Sequence, residues 1–171
     1  GNFSISNNQD LEELILTSLD TIEGQLYLTS NNALATFAAP SLTLVESSIQ
    51  MNSNNGLEAV QFGALETVEG SIQFEWNYYL EEISMPKLTT LDGQLYLYYN
   101  ERLDAAHFDK LTEVGSNLQF QNNQALEDVS LTALQVVNGS LSMTSLNQVT
   151  DLSLPALEEV NGSFSINSMS K

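Results

Sequence analysis

Apolar and polar residues alternate in short blocks, and the whole pattern recurs every 23 residues without an insertion. The full units begin at Gly1, Gly24, Ser47, Gly70, Gly93, Ser116 and Gly139, and a partial eighth unit begins at Gly162. A repeat of constant length is typical of solenoids, because each unit buries its apolar side only against its neighbours. The pattern therefore predicts one repeat domain over residues 1–171.

Two positions of the unit predict its first strand. The third and fifth residues are apolar while their neighbours are polar, as in Ile72 and Phe74 on either side of Gln73. A period of two indicates a half-buried strand. Positions fourteen and sixteen alternate in the same way, as in Val60 and Phe62, and predict a second short strand. No segment shows a sustained helical period.

The rest of the unit completes a triangular coil. Leucine fills position nineteen in all seven full units, and position twenty-two is always Ile, Val or Leu. A turn containing glycine follows, for which we expect a left-handed backbone at the glycine. Stacked coils would pair through parallel ladders about 4.8 Å apart. The prediction is an all-β protein, a right-handed, three-sided parallel β-helix of about seven and a half coils.

Asparagine fills the eighth position of six successive units and forms a predicted ladder. Its members are Asn8, Asn31, Asn54, Asn77, Asn100 and Asn123. A corner Asn can bond the backbone of its own turn and of the neighbouring coils. We interpret this ladder as structural rather than as a ligand site. Leu146 takes the position in the seventh unit, where we expect a different corner.

Charge and composition exclude several classes of function. The 171 residues carry 22 acidic and 4 basic side chains, a formal net charge of −18. This balance argues against binding of nucleic acid or of an anionic membrane surface, since both need Lys or Arg. The chain has no cysteine, hence no disulfide or thiolate site. It also lacks the apolar run of about 18 residues that membrane insertion needs.

The repeat resembles a known family. The segments LDTIEGQLYLTSNNAL (19–34), LETVEGSIQFEWNYYL (65–80) and LTTLDGQLYLYYNERL (88–103) carry the likeness. They resemble the receptor L domain, a leucine-rich β-helical ligand-binding module, and the related repeats of microbial surface proteins. The resemblance implies an extracellular or cell-surface protein that binds and does not catalyse. Unlike animal receptor L domains, the chain has equal coils and no cysteine, which favours the microbial type and a fragment of a longer surface protein.

Catalysis and metal binding find little support in the pattern. Regular coils without inserted loops build no cleft, and the single histidine, His107, is expected on the surface without a catalytic partner. We therefore expect no enzyme and no resident cofactor. Acidic residues recur after position eleven, which leaves a weak possibility of Ca²⁺ at an acidic ladder. A solvated acidic surface that keeps the solenoid soluble is the favoured interpretation.

Aromatic residues cluster in the fourth and fifth units and provide the candidate ligand-binding residues Trp76, Tyr78, Tyr96, Tyr98 and Tyr99. Trp76 and Tyr99 share the seventh position of neighbouring units, so their rings should stack. Such a surface suits a polysaccharide, through stacking on sugar faces, or a protein partner. The alternative is that these rings only stabilise adjacent coils.

Two functions therefore stay open: a binding or adhesion module, or a structural spacer that projects other domains. Unpaired strands at the two ends also predict possible end-to-end self-association.

Overall fold

The computed structural model describes residues 1–168 and shows a parallel β-solenoid of about seven turns, with no helix in this range. In chain order the strands are β1 (Phe3–Ser6), β2 (Glu13–Ile15), β3 (Thr21–Ile22), β4 (Leu26–Thr29), β5 (Thr36–Ala38), β6 (Leu44–Val45), β7 (Ile49–Asn52), β8 (Ala59–Gln61), β9 (Thr67–Val68), β10 (Ile72–Glu75), β11 (Glu82–Ser84), β12 (Thr90–Leu91), β13 (Leu95–Tyr98), β14 (Ala105–His107), β15 (Glu113–Val114), β16 (Leu118–Gln121), β17 (Asp128–Ser130), β18 (Val136–Val137), β19 (Leu141–Thr144), β20 (Glu159–Val160) and β21 (Phe164–Asn167).

Each coil contributes one strand to each of three parallel sheets. The long sheet contains the eight four-residue strands in the order β1-β4-β7-β10-β13-β16-β19-β21. The second sheet contains the six three-residue strands from β2 to β17, and the third contains the seven two-residue strands from β3 to β20. Every residue pairs with the one 23 positions later, as Phe3 does with Leu26. The predicted coil length is therefore also the strand register.

The apolar positions of the repeat fill the space between the sheets. In the long sheet the burial alternates along each strand, so that Ile72 and Phe74 are buried while Gln73 and Glu75 face outward. Five phenylalanines are among the largest fully buried side chains: Phe37, Phe62, Phe74, Phe108 and Phe120. The first two strands of the coil are confirmed. The three-sided fold is confirmed as well, although the third strand was not located in the sequence, because two residues leave no alternation to detect.

The asparagine ladder is hydrogen-bonded from coil to coil, and five of its six members are buried, while Asn8 in the first coil is exposed. The side-chain oxygen of Asn54 accepts from the backbone N–H of Asn31 at 3.1 Å, and its amide nitrogen donates to the carbonyl of Leu28 at 3.1 Å. The same pair of bonds recurs in the next coils. These bonds satisfy corner backbone groups that no strand reaches, which supports the structural interpretation.

The seventh coil differs where the asparagine is replaced. Leu146 is fully buried at the ladder position but offers neither donor nor acceptor. The corner keeps its left-handed residue, Ser145, yet residues 151–153 form no strand, so the second sheet ends one coil earlier than the third. The corner itself thus keeps the backbone of the other coils, and the local change lies in the segment that follows it.

Left-handed backbone lies elsewhere than predicted. No glycine in residues 1–168 has a positive φ, so the expectation for the glycine turns is wrong. The glycines instead allow coils to approach closely: a Cβ at Gly93 would lie 2.6 Å from the backbone of Gly70. The left-handed residue is the seventh of each coil: Asn7, Ser30, Ser53, Trp76, Tyr99, Asn122, Ser145 and Ser168.

Burial decreases at the two ends of the described solenoid. Phe3 and Ile5 are partly buried at one end, and Phe164 is 55% exposed at the other. The self-association expected of these ends stays a prediction. No helix long and apolar enough to cross a membrane occurs in residues 1–168.

The asparagine ladder yields the first testable prediction. Asn54→Leu should lower the free energy of unfolding by about 2–4 kcal/mol, because buried backbone groups of Asn31 and Leu28 lose their partners. Urea unfolding followed by circular dichroism measures the loss. The neighbouring Asn55 is exposed and bonds Asn32 at 3.3 Å, so Asn55→Ala should cost no more than about 0.5 kcal/mol. Equal losses in the two variants would contradict a special role for the ladder.

Candidate ligand-binding site

Aromatic rings from two neighbouring coils meet at the corner that follows the long sheet. The rings of Trp76 and Tyr99 lie 4.3 Å apart between centroids and only 6° from parallel, which confirms the predicted stack. The sequence places them 23 residues apart, so the ladder of coils brings one above the other. Trp76 is nevertheless 49% exposed. The stack therefore belongs to the surface and not to the core.

Two tyrosines of β13 connect this stack to the long sheet. Tyr98 packs edge-on against both rings, at 5.5 Å from Trp76 and 4.5 Å from Tyr99. Tyr96 lies almost parallel to Tyr98, with ring centroids 5.5 Å apart. We call Trp76, Tyr96, Tyr98 and Tyr99 the aromatic surface. Four of the five candidate residues thus form one continuous set of ring contacts.

The backbone at the stack is unusual for residues of this size. Trp76 has a φ of 58° and Tyr99 one of 52°, in the left-handed region that other coils fill with Ser or Asn. Bulky side chains rarely adopt this conformation, and each such residue costs about 1–3 kcal/mol. Strained residues of this kind concentrate at functional sites. The two rings are held where the fold alone would favour a smaller polar residue.

Tyr78, the fifth candidate, lies beyond the corner with partners that the sequence analysis did not include. Its ring meets that of Tyr79 at 5.1 Å and 72°. The guanidinium of Arg102 lies 4.3 Å from the centroid of Tyr79 and 5.7 Å from that of Tyr78, at distances typical of cation–π contacts. Tyr79 and Arg102 share the tenth position of neighbouring coils. The 23-residue spacing of these two residues was the sequence signal that could have predicted their contact.

A shallow depression joins the two groups of rings. It is lined by Ser53, Asn55, Trp76, Tyr78, Tyr99 and Glu101, and its volume is about 280 Å³. We call it the corner slot. Its lining combines three aromatic and three polar side chains and contains no basic one.

Glu75 is the one carboxylate of the long sheet's outward face, beside Tyr98 in the neighbouring strand. Partial burial raises its pKa above the ordinary value. Burial also raises the pKa of Tyr96, and the negative charge of Glu75 and the neighbouring Tyr98 add to the effect. In the other neighbouring strand Glu75 faces Asn52, whose buried side-chain oxygen has no hydrogen-bond partner among the described residues. Protonated Glu75 therefore suits its surroundings better than the carboxylate does.

The histidine is not as isolated as its sequence neighbourhood indicates. The Nε2 of His107 lies 3.0 Å from Asp128, a residue of the next coil. The contact is diagonal within the second sheet, because the register pairs His107 with Ser130 and sets Asp128 opposite Ala105. In residues 1–168 no three His, Cys, Asp or Glu side chains are arranged to hold a metal ion. Calcium at the acidic ladder stays a prediction.

Comparison of the chain with protein-family models, with curated proteins and with solved structures finds no match in any of the three. The resemblance to the receptor L domain therefore stays a prediction from the repeat. The function has to be argued from the surface itself.

The environment of Glu75 yields a pH-dependent prediction. Because the folded state raises its pKa, the folded protein holds this proton more tightly than the unfolded chain does. Stability from this group is therefore full below the unfolded pKa of about 4.3 and is lost as the pH rises through the folded pKa. Glu75→Gln should raise the melting temperature at pH 7 by about 1–3 °C and leave it unchanged near pH 4.

Differential scanning calorimetry at the two pH values makes this comparison. Glu82→Gln removes the same charge from the second sheet and controls for the change in net charge. A gain for Glu75→Gln that is equal at pH 4 and pH 7 would contradict the pKa argument.

Proposed function

We propose that this chain is a non-enzymatic binding module of an extracellular or cell-surface protein, which contacts its ligand through the aromatic surface. The observation that carries the proposal is the strained pair of Trp76, which is half exposed, and Tyr99, which is partly exposed. Core packing gains little from a ring that is half exposed, and the left-handed backbone penalises it. A ligand supplies the missing reason for placing both rings there.

The composition of the surface supports recognition. Tyr and Trp offer large rigid areas that lose little side-chain entropy on binding, and they are enriched at interfaces. Tyr98 fixes the stack from the side of the sheet, so the rings are already arranged before a ligand arrives. Preorganised contacts of this type lower the cost of binding.

The assignment as a surface protein rests on the repeat and its resemblance to receptor L domains. The strong negative charge is compatible with a soluble, exposed solenoid. The assignment as a binding module rather than an enzyme follows the regularity of the coils and the absence of an inserted loop in the repeat. A spacer would have no need for clustered aromatic residues on two of its coils.

Replacement of Tyr99 separates binding from stability. Tyr99→Asn keeps a residue type that the same corner already accepts at Asn7 and Asn122. The free energy of unfolding should stay within about 1 kcal/mol or increase, because relief of strain offsets the lost stacking. Ligand binding should weaken by about tenfold or more, the loss typical of an interface hot spot.

The measurement uses Trp76, the single tryptophan, as the fluorescent probe of the wild-type protein, and isothermal titration calorimetry for the variants. The ligands are soluble laminarin, cellohexaose, chitohexaose, polygalacturonate and hyaluronan, each with and without calcium. Ser145→Asn is the matched control, since it introduces the same residue at the same corner position of the seventh coil, away from the aromatic surface. A ligand whose affinity is unchanged by Tyr99→Asn would show that binding occurs elsewhere. No binding by any ligand of the panel would favour the spacer.

A further inference from the structure

We propose that the ligand is an uncharged glycan and that one of its sugar rings occupies the corner slot, stacked on the free face of Trp76. This inference rests on the proposed function and specifies the ligand class and the point of contact. Three observations support it: one face of Trp76 has no stacked ring, the slot has suitable chemistry, and the adjoining sheet carries little charge.

The aromatic stack stops abruptly on the side of the third coil. Trp76 and Tyr99 are parallel and one coil apart, so the second face of Trp76 is turned toward the third coil. The seventh residue of that coil is Ser53, which has the same left-handed backbone but only a hydroxymethyl side chain. The space that a third ring would fill is thus left open and forms the part of the corner slot beside Ser53, while Tyr99 and Glu101 line its other part.

The slot has the size and chemistry of a site for one sugar ring. Its volume of about 280 Å³ lies just below the range of roughly 300–1,000 Å³ that is typical of pockets for larger ligands. Trp76 and Tyr78 provide apolar ring faces, while Ser53, Asn55 and Glu101 provide a hydroxyl, an amide and a carboxylate. A sugar presents an apolar face of C–H groups and a rim of hydroxyl donors. The C–H face of the sugar can stack on the aromatic rings of the slot. Its hydroxyl groups can donate hydrogen bonds to the oxygen acceptors of the slot.

Charge distinguishes between classes of glycan. The slot contains Glu101 and no basic residue, and Glu75 lies at the adjoining sheet. With a net charge of −18, the whole protein also repels polyanions. An acidic polysaccharide would therefore meet desolvation and repulsion in the slot, because Arg102, the basic residue beside Tyr78, does not line the slot and contacts the rings of Tyr78 and Tyr79 instead. An uncharged glycan has no such cost.

The long sheet provides a surface along which a glycan chain can continue. Two outward positions in each of its eight strands give sixteen side chains, and Glu75 is the only charged one among them. All others carry hydroxyl or amide groups: Ser4, Ser6, Tyr27, Thr29, Gln50, Asn52, Gln73, Tyr96, Tyr98, Gln119, Gln121, Ser142, Thr144, Ser165 and Asn167. The second sheet, by contrast, exposes Glu13, Glu82 and Asp128. The long sheet is thus a nearly uncharged face in a chain rich in acidic residues. This face adjoins the corner slot.

The test fills the slot with a side chain. Ser53→Tyr places a third ring on the stack, at a position where the next two coils already accept Trp and Tyr. Binding of the neutral probes laminarihexaose, cellohexaose or chitohexaose, measured by isothermal titration calorimetry, should weaken by about tenfold or more. Ser145→Tyr makes the same change at the same corner position of the seventh coil and should leave the affinity unchanged.

A second variant covers the case in which Ser53→Tyr does not fold. Tyr78→Ser removes the opposite aromatic wall of the slot and should weaken the same neutral hexasaccharide by a similar factor. Circular dichroism of each variant verifies the fold before titration.

Three results would overturn the inference, and they are distinguishable from failure of the proposed function. If a neutral hexasaccharide binds and is weakened by Tyr99→Asn but not by the slot variants, the slot is wrong while the aromatic surface stands. If only the acidic probes polygalacturonate or hyaluronan bind, the ligand class is wrong while the aromatic surface stands. If a neutral hexasaccharide binds and neither Tyr99→Asn nor a slot variant weakens it, the inference and the proposed function both fail.

Discussion

The parallel hydrogen-bond ladder between coils is the constraint on which the rest of the structure depends. It pairs each residue with the one 23 positions later in all three sheets, so a coil of different length would move its side chains out of register. Columns of identical positions follow directly from this pairing. Apolar columns become the core, and the asparagine column supplies the hydrogen bonds at the corner where the sheets do not reach.

The same ladder stabilises the strained backbone of the candidate site. A left-handed backbone at Trp76 and Tyr99 is unfavourable locally, yet both residues are held between strands whose register is set by the neighbouring coils. Strain persists where the surrounding structure over-determines the conformation. A regular solenoid can therefore carry a local specialisation on two coils while the other coils retain Ser or Asn at the same corner.

Much of the architecture could be predicted because the interactions that define it join like positions. The first two strands, the buried asparagines and the Trp76–Tyr99 stack all follow from the 23-residue spacing. The contact of Tyr79 with Arg102 follows the same rule, although the sequence analysis did not include it. A third side was predicted, but its strand was not located, since two-residue strands leave too short a pattern.

By itself, the sequence determined which residues lie above one another, because constant coil length and backbone pairing leave no freedom along the stack. Only the tertiary structure decided which different positions of the coil meet. The edge-on contact of Tyr98 with Trp76, the pairing of His107 with Asp128 and the open space at Ser53 depend on corner angles and side-chain rotamers. The glycine turns show the same limit. Their composition suggested left-handed backbone, whereas the structure shows close approach of neighbouring coils at these glycines.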